Sequence, residues 1–226
     1  MIQLQERVNP QANDTGFTII ESLIAIIVVA ILLTAIAPVI VISTASRVHS
    51  RRVELATQAA KTYIDGVTSG SIESPPITKK DNNLSAEVKA PSGSLNCRKD
   101  NDYCSAPTDK TYQLYCLDGS GDGKCTKDES QDILVQAFAY NPNNDEANRG
   151  YRLGIRVYRA DAFKDSTSLE KSDGKKKARQ SAFSGGLGKL KAPLLEMTTD
   201  IASRNTTFAD FCSRLEDSKN TYSKCK

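Results

Sequence analysis

The chain has 226 residues, of which 39% are hydrophobic and 25% are charged, and its formal net charge is +3. This length accommodates one membrane-spanning helix and one soluble domain of ordinary size. The small net charge argues against a nucleic-acid-binding protein. The only histidine, His49, lies beside arginines, and no Ser or Cys nucleophile can be paired with a second histidine. We therefore do not expect an enzyme.

Residues 1–16 form a polar N-terminal segment whose only charges are Glu6, Arg7 and Asp14. A secretory signal begins with a positively charged region, followed by about 7–15 apolar residues. This segment carries one more acidic than basic residue. It is therefore a poor match to an ordinary secretory signal.

A long apolar run follows at residues 23–42, interrupted only by Thr34 and Pro38. About twenty residues at a rise of about 1.5 Å cross a hydrocarbon core of about 30 Å. The run predicts a transmembrane helix, in which Pro38 kinks the helix or opens one backbone hydrogen bond. Glu21 lies two residues before this run, just inside the segment from Phe17 onward that is otherwise suited to lipid, where a carboxylate is costly unless it has a partner.

The helical period continues beyond the apolar run. Apolar residues recur at spacings of seven and four, with charged residues between them; they are Val48, Leu55, Ala59, Tyr63 and Val67. Gly70 is a natural C-terminal stop. The pattern predicts one helix over residues 17–69, about 80 Å long. Its first half, about 17–43, would lie in the membrane, and its second half is amphipathic.

The motif GFTIIESL at residues 16–23, ahead of a long apolar helix, resembles the class III signal of type IV pilins and pseudopilins. The resemblance implies that a prepilin peptidase removes residues 1–16 by cutting after Gly16, and that the new N-terminal residue, Phe17, is N-methylated. It also implies that Glu21 meets the N-terminal amine of a neighbouring subunit in a filament. The alternative for Glu21 is a side chain that reaches water at the bilayer interface and has no role in assembly.

The same resemblance implies a fold class and a set of partners. The expected fold is α+β and pilin-like, with the long N-terminal helix packed on a small antiparallel sheet with disulfide-stapled loops. The globular head would comprise residues 70–226. The expected partners are other pilins or pseudopilins, the prepilin peptidase and an inner-membrane assembly platform, and no nucleic acid is expected.

Six cysteines all follow the apolar run, and none forms a Cys-x-x-Cys pair. With one histidine in the chain a zinc site is not expected, and the even number indicates disulfides in an oxidising compartment. The head is therefore expected in the periplasm and the N terminus in the cytoplasm. Arg47, Arg51 and Arg52 follow the membrane-spanning part of the helix, and a simple positive-inside count gives the opposite orientation, but that rule weakens when a long domain follows. Six cysteines allow 15 disulfide connectivities, and the sequence does not choose among them. Pairing each cysteine with its neighbour in the sequence would give Cys97–Cys104, Cys116–Cys125 and Cys212–Cys225.

Three strands are predicted in the head, at residues 111–117, 133–140 and 151–158, and the last alternates apolar and polar residues most cleanly. The second and third are expected to pair across the polar loop 141–150. Residues 71–110 are predicted to be loop-like, because Pro, Asn and Gly recur there. The sheet is expected to lie on the amphipathic half of the helix.

Residues 118–129 fit the twelve-residue calcium loop of EF-hands, with glycine at the sixth position. The expected ligands are Asp118, Ser120, Asp122, the Lys124 carbonyl, Thr126 and Glu129. The flanking segments are predicted strands rather than helices, and a Cys116–Cys125 disulfide would close the loop. Bound calcium would have a structural role. The alternative is a glycine-rich hairpin turn with solvated acidic residues.

The C-terminal third offers no catalytic motif. The basic cluster at residues 175–177 is predicted to be a solvated loop, and the glycines at 185–188 a turn, because they lack the context of a phosphate-binding loop. Leu194, Leu195 and Met197 are expected in the core.

Four stretches, at residues 26–38, 51–66, 154–163 and 191–199, resemble pseudopilins of cyanobacterial hormogonium polysaccharide secretion. The resemblance implies a minor filament subunit that supports polysaccharide export during gliding. One alternative is a minor type IV pilin for adhesion, twitching or DNA uptake. Another is a single-pass anchor that carries a calcium-binding domain and never polymerises.

Overall fold

The computed structural model describes residues 16, 18–79, 87–97, 99–143, 146–165, 168–180 and 189–216. The chain divides into two compact units, Met1–Thr44 and Ala45–Lys226. The boundary lies inside the long N-terminal helix, because the second half of that helix shares a hydrophobic core with the sheet. Residues 1–15 of the predicted leader and Phe17 lie outside the described residues.

Helix α1 (Ile19–Ser69) has 51 residues and contains Pro38. At about 1.5 Å per residue its length is about 77 Å. Gly70 follows it with a φ of 78°, the left-handed conformation that commonly ends a helix and that glycine adopts without steric cost. The helix predicted over residues 17–69 is confirmed, with a start two residues later.

The apolar run of α1 is not covered by any of the residues that the structure describes. Its large apolar side chains between Ile19 and Ile42 are 49–86% exposed. The helix is long and apolar enough to cross a membrane, and none of its most apolar window is buried. An exposed apolar surface of this extent is not typical of a monomer in water. The segment therefore fits membrane anchoring.

Six strands form one sheet, and five of them follow the order β2-β3-β4-β5-β6. The strands are β1 (Ile77–Thr78), β2 (Asp102–Tyr103), β3 (Gln113–Leu117), β4 (Ile133–Tyr140), β5 (Tyr151–Arg159) and β6 (Leu195–Ile201). Neighbours along this order are antiparallel, and β1 pairs in parallel with the end of β4. The predicted pairing of β4 with β5 is confirmed, with Val135 opposite Val157.

Several elements differ from the sequence prediction. Strand β3 begins at Gln113 rather than at residue 111, because the N–H and hydroxyl of Thr111 both donate to Asp109 Oδ1 in a turn. Strands β1 and β2 lie in the segment predicted as loop-like; each has two residues and exists only through pairing with a distant strand. Strand β6 and helix α2 (Phe208–Glu216) were not predicted, because short segments of mixed polarity have no clear period.

The second half of α1 packs on one face of the sheet through small side chains. Its buried residues are Ala56, Ala59, Ala60, Tyr63, Gly66 and Val67, and they share a core with apolar residues of β4 and β5. The predicted apolar stripe is wrong at its start, because Val48 is 49% and Leu55 38% exposed. Val48 lies about two turns before the first buried residue, and Leu55 points about 80° away from Tyr63 around the helix.

Three tyrosine rings join α1 to the edge of the sheet. The ring centroids of Tyr63, Tyr103 and Tyr115 lie 5.3–6.4 Å apart. The hydroxyls of Tyr63 and Tyr103 are 2.7 Å apart, and the Tyr103 hydroxyl donates to the Glu73 carbonyl. Burial raises the pKa of Tyr63 far above its ordinary value. The pKa values of Tyr103 and Tyr115 are raised by burial as well, so all three hydroxyls stay protonated. The cluster connects α1 to the edge of the sheet.

The opposite face of the sheet carries a second core and a row of buried polar side chains. Gln136, Arg156 and Glu196 lie opposite one another on β4, β5 and β6. Arg156 Nη1 donates to Gln136 Oε1 at 3.0 Å and to the Val88 carbonyl at 3.1 Å. Arg156 Nε lies 3.0 Å from Glu196 Oε1. The row ties the segment around residue 88 to the sheet, so the sheet is covered on both faces rather than on the helix side alone.

Helix α2 is held at the end of the sheet by a fully buried arginine, Arg214. Its Nε donates to Asp200 Oδ1 at 3.3 Å, and Nη1 donates to the Arg149 carbonyl at 3.4 Å. Arg152 Nη2 in turn donates to the Arg214 carbonyl at 2.9 Å. A buried arginine needs such partners, because an unpaired buried charge is costly.

Gly154→Ala tests the packing of the second face. A Cβ at this position would overlap the ring of Phe138, which lies directly opposite on β4. We expect the free energy of unfolding to fall by about 1–3 kcal/mol, the usual cost of overpacking. The measurement is thermal unfolding of the detergent-solubilised protein, followed by near-ultraviolet circular dichroism of its tyrosines.

The double variant Gly154→Ala/Phe138→Leu provides the control. If ring overlap is the cause, the smaller side chain relieves it and the two changes together cost less than their sum. Additive losses would contradict this explanation.

Candidate functional site

Two of the predicted processing and assembly residues lie at the start of α1: Gly16 precedes the helix and Glu21 is in its first turn. Gly16 and Glu21 are both exposed, while Phe17 lies outside the described residues. Thr18 Oγ1 accepts a hydrogen bond from the Glu21 N–H at 3.3 Å. Thr18 is therefore the N-cap of the helix and Glu21 its third residue, which is the spacing of a capping box.

This cap was not anticipated from the sequence, although the Thr-x-x-Glu pattern was visible. It gives Glu21 a second physical role, because a carboxylate in the first helical turn also interacts favourably with the helix dipole. Within the part of the chain that the structure describes, Glu21 forms no ion pair. Among the described residues, the helix terminus is thus the group that favours a carboxylate here, at the start of a segment suited to lipid.

The predicted calcium loop, residues 118–129, is a compact turn built on Asp118. The Asp118 carboxylate accepts the N–H groups of Gly121 at 2.6 Å and Gly123 at 2.8 Å. The Ser120 hydroxyl lies 3.0 Å from Asp118 Oδ1 and 3.2 Å from Asp122 Oδ1. The structure therefore brings together the residues expected at positions one, three and five of the loop.

The hydrogen bonds from Gly121 and Gly123 lower the pKa of Asp118 below its ordinary value. Glycine suits both positions, because their φ angles are 79° and 75° and side chains with a Cβ rarely adopt this conformation. The glycines that the calcium motif requires thus have a local role in shaping the turn. This turn keeps Asp118 ionised at neutral pH.

The other three predicted calcium ligands are not gathered around Asp118 in the same way. Lys124, Thr126 and Glu129 all lie in the described loop, and the Lys124 N–H donates to Asp122 Oδ1 at 2.9 Å. Among the described residues, no three His, Cys, Asp or Glu side chains are grouped so as to hold a metal. Glu129 therefore does not join Asp118 and Asp122 in a carboxylate cluster. Calcium binding stays a prediction.

Asp132 is the loop residue that the sequence analysis missed. It is fully buried, and its carboxylate accepts the N–H groups of Gly119, Ser120 and Thr126 at 3.3, 3.4 and 3.0 Å. A buried carboxylate must be hydrogen-bonded in this way. The available signal was an acidic residue placed directly before the buried strand β4.

Disulfides close two of the loops. Cys97–Cys104 and Cys116–Cys125 are bonded, which are two pairs of the sequence-local pairing. The second bond joins β3 to the turn around Asp118. Cys212 is also disulfide-bonded, and its expected partner, Cys225, lies outside the described residues.

Comparison with known proteins bears on the N-terminal segment. Residues 11–37 match the family model described as the prokaryotic N-terminal methylation motif. Searches of the curated proteins and of the solved structures each found no significant match. The matched residues contain Gly16, Phe17, Glu21 and the first part of the apolar run. The chain therefore carries a prepilin signal of the type IV pilin kind, ahead of a pilin-like fold of one long helix packed on a small antiparallel sheet.

Proposed function

We propose that this chain is a minor pseudopilin, a structural subunit of a filament of the type IV pilus or type II secretion kind, and not an enzyme. The observation that carries the proposal is the apolar half of α1, whose most apolar window is not buried within the chain. Such a surface is covered by lipid in the membrane. In a filament the same surface would be covered by neighbouring helices of the same kind.

Glu21 supplies the assembly step. Cleavage after Gly16 would create a new amine at Phe17, and the amine of one subunit would meet the Glu21 carboxylate of the next. Two opposite unit charges about 4 Å apart interact by roughly 4 kcal/mol at an effective dielectric near 20. A lone carboxylate in an apolar segment is unfavourable, so this pairing would favour incorporation into the filament over the free state in the membrane.

For the orientation, we place the N terminus in the cytoplasm and the head in the periplasm. The disulfides support this, because such bonds persist in oxidising compartments. Arg47, Arg51 and Arg52 favour the reverse orientation, but the positive-inside rule weakens when a long domain is translocated. The subunit would span the inner membrane once and then enter a filament that can reach the cell surface.

For the biological system, we propose polysaccharide secretion and gliding motility of cyanobacterial hormogonia. The support is the resemblance of four stretches of the sequence to the pseudopilin HpsB. A minor type IV pilin for adhesion, twitching or DNA uptake is the second candidate. A strain that lacks the gene separates them: loss of exported polysaccharide with intact pili supports the first, and loss of piliation or DNA uptake supports the second.

We also propose that the 118–129 loop binds calcium in a structural role. The supporting observation is that the Ser120 hydroxyl lies within 3.2 Å of a carboxylate oxygen of both Asp118 and Asp122. Three of the predicted ligands are therefore neighbours in the loop. Asp118, Ser120, Asp122, the Lys124 carbonyl, Thr126 and Glu129 would hold the ion. Oxygen donors of this type suit Ca²⁺.

Mass spectrometry of the mature N terminus tests the processing step. In cells that contain a prepilin peptidase, we expect the purified protein to begin at Phe17 and to carry one added methyl group. A Gly16→Val variant, with a bulky residue at the cleavage site, is expected to keep residues 1–16. An unprocessed Met1 in the parent protein would contradict the proposal.

Two substitutions at Glu21 separate its charge from its place in the helix cap. Glutamine at this position keeps a capping-box residue but removes the charge, whereas alanine removes both. If the charge drives assembly, Glu21→Gln and Glu21→Ala both fail to enter filaments, as measured by immunoblotting of sheared filament fractions. Normal incorporation of Glu21→Gln but not of Glu21→Ala would show that capping alone matters. Normal incorporation of both variants would show that Glu21 is not needed for assembly, and absence of the parent protein from the filament fractions would favour a simple membrane anchor.

The calcium proposal predicts a shift in thermal stability. At about ten times the dissociation constant, a bound ligand adds about 1.4 kcal/mol of stability, which raises the melting temperature by about 3–6 °C for a domain of this size. Asp122→Ala is expected to abolish this shift, whereas Asp128→Ala, an acid of the same loop outside the ligand set, is expected to keep it. Magnesium chloride at equal concentration controls for ionic strength. A parent protein that is insensitive to calcium would rule the site out.

A further inference from the structure

A recess of about 280 Å³ lies between residues 172–179 and strand β6. We call it the β6 recess. Its lining combines three cationic side chains with one carboxylate and two hydroxyl residues; they are Lys176, Lys177, Arg179, Glu196, Ser172 and Thr198. Lysines 176 and 177 belong to the basic cluster that the sequence predicted to be a solvated loop. The structure places part of that cluster beside a concave surface.

The basic side of the recess is formed by a turn with its own hydrogen bonds. The Asp173 carboxylate accepts the N–H groups of Lys175 at 2.9 Å and Lys176 at 2.6 Å. Gly174 between them has a φ of 84°, which favours glycine. The Ala178 N–H then donates to the Ser172 hydroxyl at 3.0 Å. These bonds fix the course of the backbone that presents Lys176 and Lys177.

The acidic side of the recess is backed by a buried arginine. Glu196 is paired with Arg156, whose Nε lies 3.0 Å away, and the side chains of the two residues are 15% and 1% exposed. Glu196 Oε1 also accepts the Ser172 N–H at 3.2 Å. Arg156 offsets the charge of Glu196 from behind. Among the described residues, Lys176, Lys177 and Arg179 form no ion pair, and Asp173 in the turn is the nearby acid.

The charged and hydroxyl groups that line the β6 recess favour some classes of ligand over others. Cations at one side attract a carboxylate or sulfate, while a carboxylate and hydroxyls at the other side can accept hydrogen bonds from sugar hydroxyls. A nucleic-acid phosphodiester has only acceptor oxygens and offers no hydrogen to Glu196, whereas a sugar ring offers hydroxyl donors. The volume lies near the lower end of small-molecule sites, roughly 300–1,000 Å³, which suits one sugar ring rather than a duplex.

We propose that the β6 recess binds one acidic sugar residue of a polyanionic extracellular glycan. Lys176, Lys177 and Arg179 would hold its acid group, and Glu196, Ser172 and Thr198 would hold its hydroxyls. The inference deepens the proposed role in polysaccharide export and rests on it for its biological meaning. Binding itself is a property of the head and does not require a filament.

Calorimetric titration of the detergent-solubilised full-length protein at physiological salt tests this inference. The probe is tetragalacturonate, with the neutral maltotetraose and a short DNA duplex as comparisons. In Lys176→Gln/Lys177→Gln we expect at least about tenfold weaker binding of tetragalacturonate, since the loss of even one charge-assisted hydrogen bond costs about that factor or more. The control, Lys175→Gln/Lys189→Gln, removes the same charge from residues that do not line the recess and is expected to change affinity by less than about twofold.

Each other outcome overturns the inference. Equal losses in the two double variants would indicate a general charge effect, and equal binding of maltotetraose would show that the acid group is not recognised. Tighter binding of the duplex would identify nucleic acid as the ligand, and no binding of tetragalacturonate by the parent protein would remove the site. None of these results affects the Glu21 test of assembly, so failure of the recess and failure of the filament proposal are distinguishable.

Discussion

The packing of the second half of α1 on β4 and β5 is the interaction on which the rest of the head depends. Ala56, Ala59 and Ala60 leave room for the Tyr63 ring, which is fully buried. A single helix thus has an apolar half that the chain leaves exposed and an amphipathic half that completes a core. Because the helix is continuous from Ile19 to Ser69, its apolar half and the half that completes the core belong to one element.

Two buried charged residues of the head, Asp132 and Arg156, are each held by several partners. Asp132 accepts three loop N–H groups, and Arg156 is shared among Gln136, Glu196 and a backbone carbonyl. In both cases the charged residue lies on or beside a central strand and organises a loop outside the sheet. Glu21 is different, because the described chain offers it a helix terminus but no opposite charge. That difference is the physical reason for proposing an intermolecular partner.

Local patterns predicted the elements that need no distant partner. The helix was predictable from twenty apolar residues followed by a helical period. Strand β5 was predictable from its alternation, and β4 as a short apolar segment across the polar loop from it. Strands β1 and β2 were not predictable, because two-residue strands exist only through their partners. Asp132 was missed for the same reason, since its hydrogen bonds reach back 6–13 residues into the loop.

The sequence by itself determined the prepilin motif, the membrane-length apolar run, the long helix and the central hairpin, because each is set by neighbouring residues. Only the tertiary structure decided which face of α1 is buried, that the sheet has a second covered face, and that Lys176 and Lys177 border a recess with Glu196. Those features depend on cross-strand register and on contacts between segments far apart in the chain. Their energies come from burial, and burial is a property of the assembled fold.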